Sequence, residues 1–92
     1  MTATFFGTAI DWIGARSTSG GRANVYLDGA YQTTVDMYAG LNQFRQVLYS
    51  ASGLPLEEHV LRIETVTSRN ARSAGYTVWV DRFDVTGELT GP

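Results

Sequence analysis

The 92-residue chain has no cysteine, no lysine, only two prolines and a single histidine. Without cysteine there is no disulfide, no thiolate nucleophile and no Cys-type zinc site, and the redox compartment is left open. Without lysine no Walker-type phosphate loop is possible, and no G-x-G-x-x-G occurs either. The cations are seven scattered arginines set against nine acids, for a net charge of −2. A nucleic-acid surface needs a clustered basic stripe, so nucleic acid is not an expected partner. No apolar run approaches the roughly 20 residues of a membrane helix, and no membrane partner is expected. The opening "MTATFFGTAI" lacks the charged region and long apolar segment of a signal peptide.

What is present points to one β-rich domain spanning residues 1–92. A hydrophobic content of 43% is ordinary for a globular chain, and this length closes a single core. No segment sustains the i, i+3, i+4, i+7 pattern of an amphipathic helix. Strand-like runs recur instead at Ala3–Phe6, Thr8–Gly14, Arg22–Leu27, Ala30–Tyr38, Arg45–Ser50, His59–Thr67 and Tyr76–Thr86. Loops rich in Gly, Ser, Asn and Pro separate them, among them "ARSTSGG", "YAGLNQ", "ASGLPLEE" and "TSRNARSAG". Seven short strands with turn signals between them predict an antiparallel two-sheet β-sandwich. The tail "GELTGP" reads as an exit from the domain.

Three strands reveal their faces. In "EHVLRIETV", Leu61 and Ile63 should point inward while Arg62 and Glu64 meet solvent. Ile10 and Trp12 share a face and read as core. In "GYTVWVDRFDV" the period breaks, and a bulge near Asp81 would turn Val78, Val80, Phe83 and Val85 all inward, leaving Trp79 outside.

"VYLDGAYQTTVDMY", Val25 to Tyr38, contains the clearest hairpin. Asp28-Gly29 is the composition of a type I′ turn, where both central residues need φ > 0. Asp28 tolerates that geometry and bonds nearby backbone, so its acid reads as scaffold. The turn pairs Tyr26 with Tyr31 and Leu27 with Ala30. A bulge near Thr33-Thr34 is then needed to bring Val35 and Met37 inward.

The blocks "FFGTAIDWIG", "VYLDGAYQTTVDMY", "RQVLYSASGL", "EHVLRIE" and "YTVWVDRFDV" resemble, in order and spacing, a galactose-binding-like (jelly-roll) β-sandwich family. Such modules are common as ancillary domains of bacterial secreted glycoside hydrolases. The resemblance implies a jelly-roll fold, an extracellular setting within a larger protein, and carbohydrate binding as the leading role. The usual domain has a further segment ahead of the first block, so this chain is either a minimal version or one lacking part of a sheet. An open edge on the first strand would recruit another chain, which predicts a homo-dimer or higher homo-oligomer. The family also implies a structural calcium held in part by an Asp of the last strand. Asp81 matches that position, but its N-terminal partners fall in the missing segment, and no bound metal is favoured.

Catalytic constellations are weak. "ARSAG" is not a nucleophile elbow. His59 follows Glu57 and Glu58, and a base with orienting acids could be imagined, yet adjacent residues on a strand face opposite ways, and the resemblance gives His59 a structural place. Nothing requires any two of Asp11, Asp28, Asp36, Asp81, Asp84 and the Glu57-Glu58 pair to converge as glycosidase carboxylates. No cofactor is implied. A sugar site needs flat rings against C–H faces and polar side chains on the hydroxyls, usually from loops on a rigid scaffold. The candidates are Tyr38 and Asn42 in one loop, Arg69, Asn70 and Arg72 in another, with Tyr76 and Trp79 nearby. The expected function is a non-catalytic carbohydrate-binding module. The alternative is a structural sandwich that self-assembles through its open edge without a sugar site.

Overall fold

The structure, a computed structural model, describes residues 1–66, 75 and 78–91. Among the described residues there are six strands: β1 (Thr2–Arg16), β2 (Arg22–Leu27), β3 (Ala30–Asp36), β4 (Gln43–Ala51), β5 (Glu57–Thr65) and β6 (Arg82–Gly91). They form one antiparallel sheet in the order β3-β2-β5-β1-β4, with β6 paired to β1.

β1 organises this sheet. Its residues Thr2–Gly7 pair with β5 and Ile10–Arg16 with β4, while β6 follows from Thr4 to Ile13. Because β6 overlaps both partners, β5 and β4 must succeed one another along the opposite edge. The changeover falls at Gly7–Ala9, where Thr8 is an extra residue in the ladder with β6. Such a bulge bends a strand and raises its twist. Gly7 lies opposite Gly87 there, and a Cβ on either would collide with backbone of Thr86 or Phe6. Close crossing at this bend therefore needs glycine on both strands.

The bend curls the sheet into a half-barrel. The two ends of the sheet path approach each other, with the Tyr49 hydroxyl of β4 lying 3.5 Å from Gln32 Oε1 of β3. The concave side encloses one core: Phe5, Ile10, Trp12, Ala23, Val25, Leu27, Val35, Met37, Leu48, Leu61 and Ile63. Val78, Val80, Phe83 and Val85 pack against that cluster. Fully burying a side chain of this size is worth about 1.5–3 kcal/mol, so closing the curl is the main source of stability.

Several expectations hold at residue level. Leu61 and Ile63 are buried while Arg62 and Glu64 are exposed. Asp28 and Gly29 have φ of 52° and 83°, and Tyr26 pairs with Tyr31 and Leu27 with Ala30. The β3 bulge exists, but the extra residue is Gln32, between the Tyr26–Tyr31 and Val25–Thr33 pairs. It leaves Tyr31 exposed and buries Val35 and Met37.

Others are corrected. The runs expected at Ala3–Phe6 and Thr8–Gly14 are one bent strand, because a bulge at Thr8 interrupts the ladder without ending it. Residues 78–81 precede the last strand, and "GELTG" belongs to β6 rather than to an exit. Trp79 is half-buried, not outside. The first strand is paired on both sides along most of its length, with β6 on one side from Thr4 to Ile13 and β5 and β4 on the other. The open-edge reason for self-association therefore does not apply to it. The ends expected at Thr67 and Tyr76 lie outside the described residues.

Candidate functional site

The curl brings residues 17–21, 37–42, Val66, Gly75 and 78–81 to one end of the molecule. The Ser17 N–H donates to Met37 O (3.0 Å), Ala39 N–H to Ser17 O (2.9 Å) and Met37 N–H to Gly21 O (2.9 Å). The connection from β5 to β6 leaves with Val66 N–H on Arg22 O (3.1 Å) and returns with Asp81 N–H on Ile13 O (2.9 Å). Between them Gly75 packs beside Ser19. The indole Nε1 of buried Trp12 donates to Trp79 O at 3.0 Å, tying that return to the core.

Of the candidate sugar residues, Tyr38, Asn42 and Trp79 lie on the described parts of these connections. Tyr38 is half-buried, and its N–H donates to Asp36 Oδ1 (3.0 Å). Asp36 also receives Arg22 Nε at 3.4 Å, so it orders the turn on which Tyr38 sits. Asn42 is exposed just ahead of β4. Trp79 uses its carbonyl structurally and is half-buried. Arg69, Asn70, Arg72 and Tyr76 lie outside the described residues. Asp81 is exposed, and among the described residues no three His, Asp or Glu side chains gather as a metal site. The residues at hand therefore do not fit the calcium that the resemblance implies.

The start of β4 was not foreseen. Arg16 pairs with Gln43 and Gly14 with Gln46, so Ala15 alone faces both Phe44 and Arg45. Arg45 takes the left-handed conformation, φ 54°. A second bulge follows, since Ile13 pairs with Val47 and Trp12 with Tyr49, leaving Leu48 as the extra residue and turning it into the core. These irregularities leave Leu41 (78%), Phe44 (69%) and Val47 (53%) exposed. The signal in the sequence was a lone aromatic among Gln43, Arg45 and Gln46, which breaks the alternation a paired strand would show.

A shallow cleft of about 350 Å³ lies beside the end of β5, lined by Met1, Arg62, Ile63, Glu64, Thr65, Val78 and Val80. Arg62 Nη1 donates to Glu64 Oε2 (3.2 Å), and its guanidinium lies 4.1 Å from the centre of the Tyr26 ring. Tyr26 meets Tyr31 edge-on at 5.8 Å, and the Tyr31 hydroxyl is 2.7 Å from Thr34 Oγ1. Stacking and pairing of this kind hold the two charges in place.

At the opposite end His59 is 2% exposed, with Nδ1 2.6 Å from Asp28 Oδ2 and Nε2 2.8 Å from Pro55 O. Asp28 Oδ1 also accepts the Val60 N–H at 2.8 Å. The hydrogen bonds to Asp28 and Pro55 raise the His59 pKa above its ordinary value, against the pull of burial. For Asp28, desolvation pushes upward, but the bonds from His59 and Val60 leave its pKa lowered overall. This is a pin between a hairpin and a strand; Asp28, expected to bond only nearby backbone, instead reaches His59 and the Val60 N–H across the sheet. Two further acids have side-chain partners: Asp11 accepts from Ser50 across β1–β4 (2.6 Å) and Asp84 from Arg82 (3.0 Å).

Comparison with known proteins adds two relatives, both from Flavonifractor plautii. The chain is 41% identical over 64 residues to an A type blood N-acetyl-alpha-D-galactosamine deacetylase, covering 70% of this chain and 8% of the relative. It is 43% identical over 60 residues to an A type blood alpha-D-galactosamine galactosaminidase, covering 65% of this chain and 6% of the relative. The chain thus spans less than a tenth of the length of the curated relatives it matches. No family model matches it, and neither does any solved structure.

Proposed function

We propose that this chain is a non-catalytic carbohydrate-binding module, of the galactose-binding-like kind, that works as an ancillary part of a larger secreted carbohydrate-active protein. One observation carries the reading. Two enzymes of different chemistry, one removing an acetyl group and one cleaving a glycosidic bond, share a segment of about sixty residues with this chain. What two different reactions have in common is the glycan, not the catalytic machinery. A segment of this size next to large catalytic regions is therefore best read as a binding element.

The site chemistry agrees. A hydrolase of the two-carboxylate kind needs its acids facing each other across a sugar. Here Asp11, Asp28, Asp36, Asp84 and Glu64 are each engaged with another side chain. What the loop end offers instead is exposed apolar and amide side chains on a braced scaffold. Retention of the chain on immobilised galactose- or N-acetylgalactosamine-terminated glycans, with no sugar or acetate released, is the expected result. Release of either product by the chain alone would overturn the non-catalytic reading.

A further inference from the structure

Resting on that reading, we propose that the bulged start of β4, with Phe44 as its platform, is where this chain contacts a neutral hexopyranose. Three features meet there.

The first is strain. A left-handed conformation costs an L-residue roughly 1–2 kcal/mol, and glycine would adopt it freely. Arg45 occupies it at φ 54° within a strand. Strain of this kind clusters at binding sites, where the surroundings hold a side chain in a required place. The second is exposure. Phe44 is 69% exposed, and Leu41 and Val47, three residues to either side of it in the chain, are exposed as well, which puts three large apolar side chains in solvent within seven residues. The third is composition. Asn42, Arg45 and Gln46 flank Phe44 in sequence with amide and guanidinium groups, and Gln46 is braced by its Nε2 on the Phe44 backbone carbonyl at 2.9 Å. An exposed flat ring with hydrogen-bonding residues next to it in the chain suits a pyranose, whose C–H face is apolar and whose edge carries hydroxyls.

Geometry and charge narrow the occupant. A second copy adding a strand would need an even row of donors and acceptors along β4. Two bulges break that row, as they do on edges protected from pairing. From Asn42 to Ser50 the sole ionised side chain is Arg45. Its positive charge disfavours a sugar with a free ammonium group and is neutral towards galactose or N-acetylgalactosamine. The ligand is therefore a neutral hexose or an N-acetylated one.

Titration calorimetry of the 92-residue chain with galactose, N-acetylgalactosamine and galactosamine tests this. Phe44→Ala should weaken the neutral sugars at least about tenfold, and Phe44→Trp should retain them, with circular dichroism unchanged in both. Arg45→Gly should raise the thermal midpoint yet weaken binding, a pairing that a purely structural role would not produce. Glu64→Gln, in the separate cleft, should bind as the parent does. Neutral sugars bound equally well by Phe44→Ala, or lost in Glu64→Gln, would overturn the proposal and leave the carbohydrate reading standing. Preference for galactosamine, or a concentration-dependent dimer abolished by Phe44→Ala, would overturn it as well. Binding of no sugar would sink both.

Discussion

His59 and Asp28 stand 31 residues apart in sequence and 2.6 Å apart in space, with the far ring nitrogen 2.8 Å from the Pro55 carbonyl. Both partners are acceptors, a carboxylate and a carbonyl, so both ring nitrogens must donate. A neutral imidazole can satisfy only one of them. The geometry thus calls for an imidazolium, closed in by Phe5 at 5.4 Å between ring centroids. One side chain joins the β2–β3 turn, the start of β5 and the loop before it.

Removing that pin should be costly. His59→Ala leaves a cavity and strands the Pro55 carbonyl, and about 2–4 kcal/mol of stability should be lost. Urea unfolding would show it as a fall in midpoint. Asp28→Asn should lose less, because the carboxylate is 46% exposed and water screens and replaces part of the pairing.

The pair also fixes a pH window. His59 has its folded pKa raised, so its contribution is complete below the unfolded value of 6.5 and disappears as pH rises through the folded value. Asp28 has its folded pKa lowered, so its contribution is complete above 3.8 and disappears as pH falls through the folded value. Stability from this pair should therefore be greatest between about pH 4 and 6.5. Urea midpoints from pH 3 to 9 would check this, and His59→Gln should abolish the alkaline decline. An unchanged decline in that variant would assign it elsewhere.

Glycine positions separate by contact. Gly7→Ala must push its methyl into the Thr86 backbone at the bend of β1, and a loss above about 2 kcal/mol is expected. Gly40→Ala meets nothing within 4 Å and should change stability by less than about 0.5 kcal/mol. Comparable losses in both would mean that the close β1–β6 crossing does not hold the curl.

Turn geometry gives a sharper case. Gly29 has φ 83° with open space around it, so Gly29→Val suffers from backbone conformation alone. About 1–2 kcal/mol should be lost, with sugar binding intact in the fraction that folds, since the turn lies at the end away from Phe44. Thermal unfolding followed by binding at low temperature would check both halves.

How much of this was legible beforehand follows from the range of each interaction. The Asp28-Gly29 turn, the inward Leu61 and Ile63 and the buried Ile10 and Trp12 rest on alternation and on turn chemistry, which are local. The Gln32 bulge was deduced as necessary but misplaced, because alternation tells that a residue is extra without telling which. The long β1 was cut in two, since "GT" at Gly7-Thr8 reads as a break when its partner Gly87 is unknown. The Asp28–His59 pin was invisible for the same reason: strand pairing, not sequence distance, brings them together. The candidate site fared unevenly. Tyr38, Asn42 and Trp79 do lie on connections that share one end, yet Trp79 is half-buried because Trp12 claims its carbonyl. Phe44 went unnoticed, because its exposure depends on a bulge opposite Ala15 that only the β1–β4 register discloses.

The central claim is that this chain binds carbohydrate without acting on it. A glycan array probed with the labelled 92-residue chain tests that most directly. Retention on galactose- or N-acetylgalactosamine-terminated glycans, lost on competition with the free sugar and with the glycans recovered unaltered, is the result predicted. Absence of retention on every glycan, with the chain shown to be folded, would contradict it.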